Sequence, residues 1–166
     1  EKTVTVGENL SRDIVLTNYA TFYTSSDVPG GMYLLTSESL ELQGTELNPV
    51  YKLDAKEFIT RAARQTNQIK NLEETGEFTI TREGTEYTGK EFTGETSFAG
   101  QTVDVSIRIF KFQSESDIVV SVGIYPTSVP AQEERTMKLF KEVEHPRRDL
   151  LTKLQTETES STITEQ

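Results

Sequence analysis

The sequence predicts an α+β domain in which two helices pack against an antiparallel β-sheet. Three observations carry that reading. From Gln101 to Val143 the chain reads as a β-hairpin followed by a helix. From Asp54 to Lys70 it shows a capped amphipathic helix. The order of elements is strands, helix, a run of strands, helix, the pattern of an antiparallel sheet with helices laid on it.

Taken in order, Lys2 to Val6 and Arg12 to Tyr23 read as two strands joined around Gly7-Glu8-Asn9. In the second, Ile14, Leu16, Ala20 and Phe22 share one face, and Tyr19 and Tyr23 lie on the other. Pro29-Gly30-Gly31 makes a turn, Met32 to Thr36 the next strand, and Leu40 to Gln43 a shorter one before the loop around Asn48-Pro49. Asp54 and Glu57 form a capping box, after which Phe58, Ile59, Ala62, Ala63 and Ile69 fall on one side. Gly76 interrupts the chain, Phe78 to Arg82 is a strand, and Glu83-Gly84 turns it into a long strand from Thr85 to Thr96. Val103, Val105, Ile107 and Ile109 alternate with Asp104, Ser106 and Arg108, and after Ser114 to Asp117 the chain returns with Ile118, Val120, Val122 and Ile124 in phase. Pro126 ends that strand. Pro130 to Val143 is the second helix, with Met137, Phe140 and Val143 toward the sheet. Phe110 and Phe112 fall out of phase with Ile109, so a bulge is expected there, or a second strand face covered by a helix.

The domain is expected to span residues 1–146. Residues 147–166 form a polar tail, expected to be disordered, because Thr, Glu and Ser bury too little apolar surface to offset ordering entropy.

A net charge of −10, from 27 acidic against 17 basic residues, argues against nucleic acid or an anionic membrane surface as partner. It suits concentrated salt, where self-repulsion is screened. The absence of Cys excludes disulfides, thiolate metal sites and a Cys nucleophile. No apolar run is long enough to span a bilayer, and the chain opens on Glu1, so a removed leader or anchor is expected before it. Together with 24 Thr, which suit solvent-facing strands, these features point to the cell exterior.

Chemistry-bearing motifs are sparse. His145 is the one imidazole, and it reads as a solvent-facing residue at a helix end. Glu73-Glu74 and Glu133-Glu134 read as loop and first-turn helix charge, although two carboxylates on facing strands would suit a glycosidase-like acid and base. Gly84, Gly89 and Gly94 lack the strand-to-helix setting of a phosphate loop and read as bulges or twist. Arg61, Arg64, Lys70 and Arg82 read as a solvated helix face rather than an anion site. Asn9-Leu10-Ser11 makes Asn9 a glycosylation candidate. No catalytic, cofactor-binding or metal-ligating residues are assigned.

The runs TVTVGENLSRDIVLTNYATFY, LELQGTELNPVYKLDAKEF and AGQTVDVSIRIFKFQSESDIVVSVGIYP, with the closing helix, resemble an uncharacterised family of haloarchaeal lipoproteins from Thr3 to about Pro146. Gly44 to Tyr51 is the most distinctive piece. The resemblance implies export, a lipid-bearing Cys before Glu1, a short tether and life in high salt. The element order is also similar to the PsbP-like fold of exported accessory proteins, an analogy that confers no function.

The expectation is therefore a monomeric, non-enzymatic cell-surface module that binds a protein or ligand and meets the membrane through its lipid anchor alone. Its contact surface would be the sheet face away from the helices, with Tyr19, Tyr23 and Tyr125 as anchors unless they belong to the core. The alternatives are a carboxylate-based hydrolase of an extracellular polymer and a surface-layer or filament subunit.

Overall fold

The hairpin read from the sequence lies at the centre of a six-stranded antiparallel sheet. The computed structural model describes residues 2–5, 11–14, 18–24, 30–42, 44–66, 69–114 and 117–143. Asn9, His145 and residues 147–166 lie outside the described residues.

Ten strands and three helices follow one another along the described chain. They are β1 (Lys2–Thr5), β2 (Ser11–Ile14), β3 (Asn18–Thr24), β4 (Gly31–Glu38), β5 (Glu41–Leu42), β6 (Thr45–Glu46), α1 (Pro49–Lys52), α2 (Ala55–Thr66), β7 (Lys70–Arg82), β8 (Thr85–Phe98), β9 (Gln101–Ser114), β10 (Asp117–Pro126) and α3 (Ala131–Glu142). The main sheet has the order β3-β4-β10-β9-β8-β7, with β1-β2 and β5-β6 as separate pairs. The single strand expected from Arg12 to Tyr23 is thus two, β2 and β3, which belong to different sheets.

Strands β7 to β10 form a meander. Two of its turns, Glu83-Gly84 and Ala99-Gly100, have positive φ at both residues (49° and 81°, 50° and 79°). That is the type I′ geometry whose twist matches the flanking strands. Gly76 does not end a strand. It sits inside β7, where the register with β8 shifts between Lys70 and Glu73 and again between Glu74 and Gly76.

A helix covers each face of the sheet. On one face Ile118, Val120 and Val122 of β10 and Val105, Ile107 and Ile109 of β9 meet Phe92, Leu35, and Phe58 and Ile59 of α2. On the other, Met32, Ile80, Phe110, Phe112 and Val119 pack with Phe140 of α3. Phe110 is the hub of this second core, 4.9 Å from Phe140 and 5.4 Å from Phe112 between ring centres. Each such ring contributes roughly 1.5–3 kcal/mol by leaving water. The out-of-phase phenylalanines are thereby explained: β9 pairs with β10 in unbroken register through Phe110 and with β8 as far as Ile109, with no bulge in either pairing, and its second face is covered by α3. The expectation of a sheet face away from the helices is corrected by the same arrangement.

Helix α2 begins as its sequence dictates. Asp54 Oδ1 accepts the Glu57 N–H at 2.7 Å, which satisfies one of the amides that the first turn leaves free. The Glu57 carboxylate does not reach back to close the box; it pairs with Arg61 one turn later at 2.5 Å.

The glycines of β8 serve packing rather than bulging. A Cβ on Gly89 would stand 2.3 Å from the Phe78 ring, and one on Gly94 would stand 3.1 Å from Ile69. Each lets a neighbouring side chain lie flat across the strand.

Candidate functional site: the edge strand β3

Three polar clusters and one exposed strand are the places where function could reside. The first cluster lies where the first turn of α3 meets the sheet. Arg108 of β9 is held by Glu91 of β8 and, at 2.7 Å, by Glu133 of α3. Its guanidinium carbon lies 5.4 Å from the centre of the Phe78 ring. Burial works against the Arg108 charge, but Tyr125, Glu133 and Glu91 outweigh it and raise its pKa. Burial likewise raises the Tyr125 phenol, with Arg108 opposing and the two glutamates adding to the rise. Glu91 and Glu133 are two carboxylates brought to one place by facing elements. Both bind the same guanidinium, which makes an ion-pair network that fixes the start of α3.

The second cluster is built on Asn48, which is fully buried. Its side-chain oxygen accepts the Val50 N–H at 2.7 Å and caps the single turn of α1, while its amide nitrogen donates to Ser37 Oγ at 2.6 Å and to the Glu38 carbonyl at 2.5 Å. Beside it, Glu46 accepts the N–H groups of Leu40 at 3.0 Å and Asn48 at 2.7 Å, together with the Ser39 hydroxyl. Burial alone would raise the Glu46 pKa, but these hydrogen bonds hold it below the usual carboxylate range. The loop read only as Asn48-Pro49 is therefore a polar clasp joining β4, β6 and α1. The third cluster is Lys111 of β9, which donates to the carbonyls of Tyr51 and Leu53 at the end of α1. Burial holds its ammonium below the usual lysine range.

The basic residues grouped from the sequence do not converge. Arg61 pairs with Glu57 on α2, whereas Arg82 of β7 donates to the carbonyls of Phe140 at 2.7 Å and Val143 at 2.5 Å. Lys70 is exposed on β7, and the Arg64 side chain lies outside what the structure describes. Glu73 and Glu74 are exposed on β7. Glu74 and Glu77 share Lys90 across β8, at 2.8 Å and 2.6 Å.

The edge strand β3 is different in kind. All seven of its residues are exposed, and Tyr19, Phe22 and Tyr23 are 64%, 57% and 57% exposed. It pairs with β4 on one side, with Tyr19 opposite Thr36 and Tyr23 opposite Met32, so both tyrosines lie on the α3 side of the sheet. Phe22, opposite Tyr33, lies on the other side. Tyr125 is corrected as a surface anchor: it is 5% exposed, because Arg108 and the first turn of α3 close over it. Phe22, which the sequence placed on an apolar face, joins the exposed set instead. Its strand is an edge, and alternation cannot say how far a covering helix reaches.

Among the described residues, no group of three or more His, Asp or Glu is placed to hold a metal ion. No helix among them is long and apolar enough to cross a membrane. A shallow hollow at the start of α2, lined by Asp54, Lys56, Glu57, Thr60 and Arg61, is wide open and charged.

Comparison with curated proteins finds no match. Among solved structures, the chain is similar at 10% identity to PA94, a Pseudomonas aeruginosa protein of unknown function, with a TM-score of 0.34 over 88% of this chain and 96% of that one. It is likewise similar at 10% identity to LpqN of Mycobacterium tuberculosis, involved in cell envelope biogenesis, with a TM-score of 0.37 over 86% and 87% of the two chains. At such scores neither likeness bears on function. A family model does match residues 1–144 of the 166, and the protein accordingly belongs to the family of domains of unknown function DUF6517.

Proposed function

We propose that this domain is a non-enzymatic, extracytoplasmic binding module that engages a partner protein through β3. The observation that carries the proposal is the composition of that strand. In a chain of net charge −10 with 27% charged residues, Asn18–Thr24 contains no charge and exposes three aromatic rings. Aromatic residues are the commonest anchors of protein contacts, because they bring large rigid area at small entropic cost. Among the described residues no strand pairs with the outer edge of β3, which offers backbone N–H and C=O groups for strand addition.

The arrangement of polar groups supports a binding role. The buried and half-buried polar groups around Arg108, Asn48 and Lys111 are occupied in fixing α3 and α1 to the sheet. Export, a lipid tether and a haloarchaeal setting are part of the proposal; the resemblance to haloarchaeal lipoproteins supports them, and the acidic composition agrees with them.

The test is recovery of partners from native membranes at high salt with the wild-type domain and with a Tyr19→Ala/Tyr23→Ala variant. The variant is expected to lose the partner while retaining its fold by circular dichroism. Undiminished recovery would overturn β3 as the contact strand.

A further inference from the structure

The two edges of the sheet are built to opposite specifications. Strand β7 carries Lys70, Glu73, Glu74, Glu77 and Arg82 and two irregularities in its register. Charges and bulges are the usual means by which an edge resists pairing with another chain. Strand β3 has no charge, no Pro and a regular register with β4.

The sequence of β3 is also self-complementary. Written antiparallel to itself about Thr21, Asn18 faces Thr24, Tyr19 faces Tyr23, Ala20 faces Phe22 and Thr21 faces its own copy. The α3 side of such a pair would carry two Tyr-Tyr pairs flanking Thr-Thr. The opposite side would place each Phe22 beside the small Ala20 of the other copy. Aromatic and Thr-Thr cross-strand pairs are favourable arrangements in antiparallel sheets, and a contact in which residue i meets j and j meets i is that of a two-fold dimer.

Resting on the reading of β3 as the contact strand, we infer that its partner is β3 of a second copy, paired edge to edge about a two-fold axis at Thr21 to give one continuous sheet. The area is adequate. The three rings leave roughly 350 Å² exposed per copy, about 700 Å² for the pair. With the strand backbones and remaining side chains, the surface available for burial is of the order of the ~1,000 Å² that a specific interface requires. Charge sets the condition for assembly. Each copy carries −10 while the contact strand is neutral, so screening should strengthen the dimer, whereas an interface made of ion pairs would weaken.

The experiment is the mass in solution by light scattering, at about 0.1 M and about 1 M NaCl, where the Debye length falls from roughly 10 Å to 3 Å. A rise toward twice the 18.7 kDa chain mass is expected at the higher salt. Thr21→Lys, which sets two like charges face to face, should weaken association by about tenfold or more, and Tyr19→Lys should act in the same direction. Because the chain has no Cys, Thr21→Cys should form an intermolecular disulfide on mild oxidation, since directly opposed strand residues lie within bridging range. Thr79→Cys, on the β7 edge, should not. A monomer at both salt concentrations, equal cross-linking at both edges, or a dimer indifferent to both lysine substitutions would overturn the proposal. If the protein is monomeric yet Tyr19→Ala/Tyr23→Ala still abolishes partner recovery from membranes, self-pairing fails and the binding role of β3 stands. If neither assay responds to β3, both fail.

Discussion

Gly123 of β10 lies where α3 crosses the sheet, and a Cβ there would stand 2.2 Å from Thr136 Cγ2. Thr136 is itself buried. Gly123→Ala is therefore expected to cost about 1–3 kcal/mol by forcing α3 outward. Thr136→Ala in the same chain should recover part of that loss, because it removes the atom struck. Urea unfolding of the two single variants and the double variant checks this; strictly additive losses would place the strain elsewhere. Glu46 sets a different expectation. Its pKa is held below the ordinary 4.5, so the stability it contributes is present above that value and is lost as pH falls through the lower folded-state pKa. Stability measured from neutral pH downward should fall less steeply below about pH 4.5 in Glu46→Gln than in wild type, with parallel curves above. Neither role was legible in the letters. Gly123 sits in an apolar run, and Glu46 is one acid among 27 acidic residues. A close approach and a set of convergent donors exist only once β10 meets α3 and β6 comes against the residues that follow β4.

Among the elements, α3 depends most on the sheet for its ends. Its N-terminal flank, Pro130, makes no side-chain cap, and its first turn is instead secured through Glu133 to Arg108. At the other end Arg82, whose guanidinium carbon lies 4.3 Å from the centre of the Phe112 ring, supplies the donors for the last carbonyls. Arg82→Gln is expected to destabilise the protein by about 1–3 kcal/mol. It should also lower hydrogen-exchange protection in the last turn of α3 while leaving α2 unchanged. Arg82→Lys should restore only part, because a single nitrogen replaces a planar guanidinium whose Nη1 and Nη2 reach Phe140 and Val143 separately. Equal loss of protection in both helices would show that Arg82 acts on the whole core. Helix α2, by contrast, was legible from Asp54 onward, since its cap and its apolar stripe are both local in sequence. The partner of Arg82 lies on an element 58 residues away, a distance no periodicity spans.

At the scale of the molecule, the α+β class, the central hairpin and both main helices could be read from alternation and helical spacing. The disposition of the helices could not. Alternation in β9 marks one buried face clearly through Val105, Ile107 and Ile109, and the apolar phase then breaks at Phe110. The physical cause is a second core, which makes both faces apolar over the span that α3 covers. The same limit explains Tyr125 and Phe22. Whether an aromatic residue on a strand ends inside or outside depends on the reach of the helix above it, and α3 covers Tyr125 on β10 while β3 lies bare at the edge.

Strand β10 is buried on both sides from Asp117 to Gly123, and this alters how its alignment is specified. In a sheet with one wet face, sliding a strand by a single residue turns oily side chains toward water, and solubility rejects the error. Here the slide would carry Val120 and Val122 from one dry core into another. What rejects it is room: Ser121 and Gly123 occupy the side toward α3, where Thr136 leaves no space even for a methyl group. The central strand is thus proofread by side-chain volume rather than by polarity.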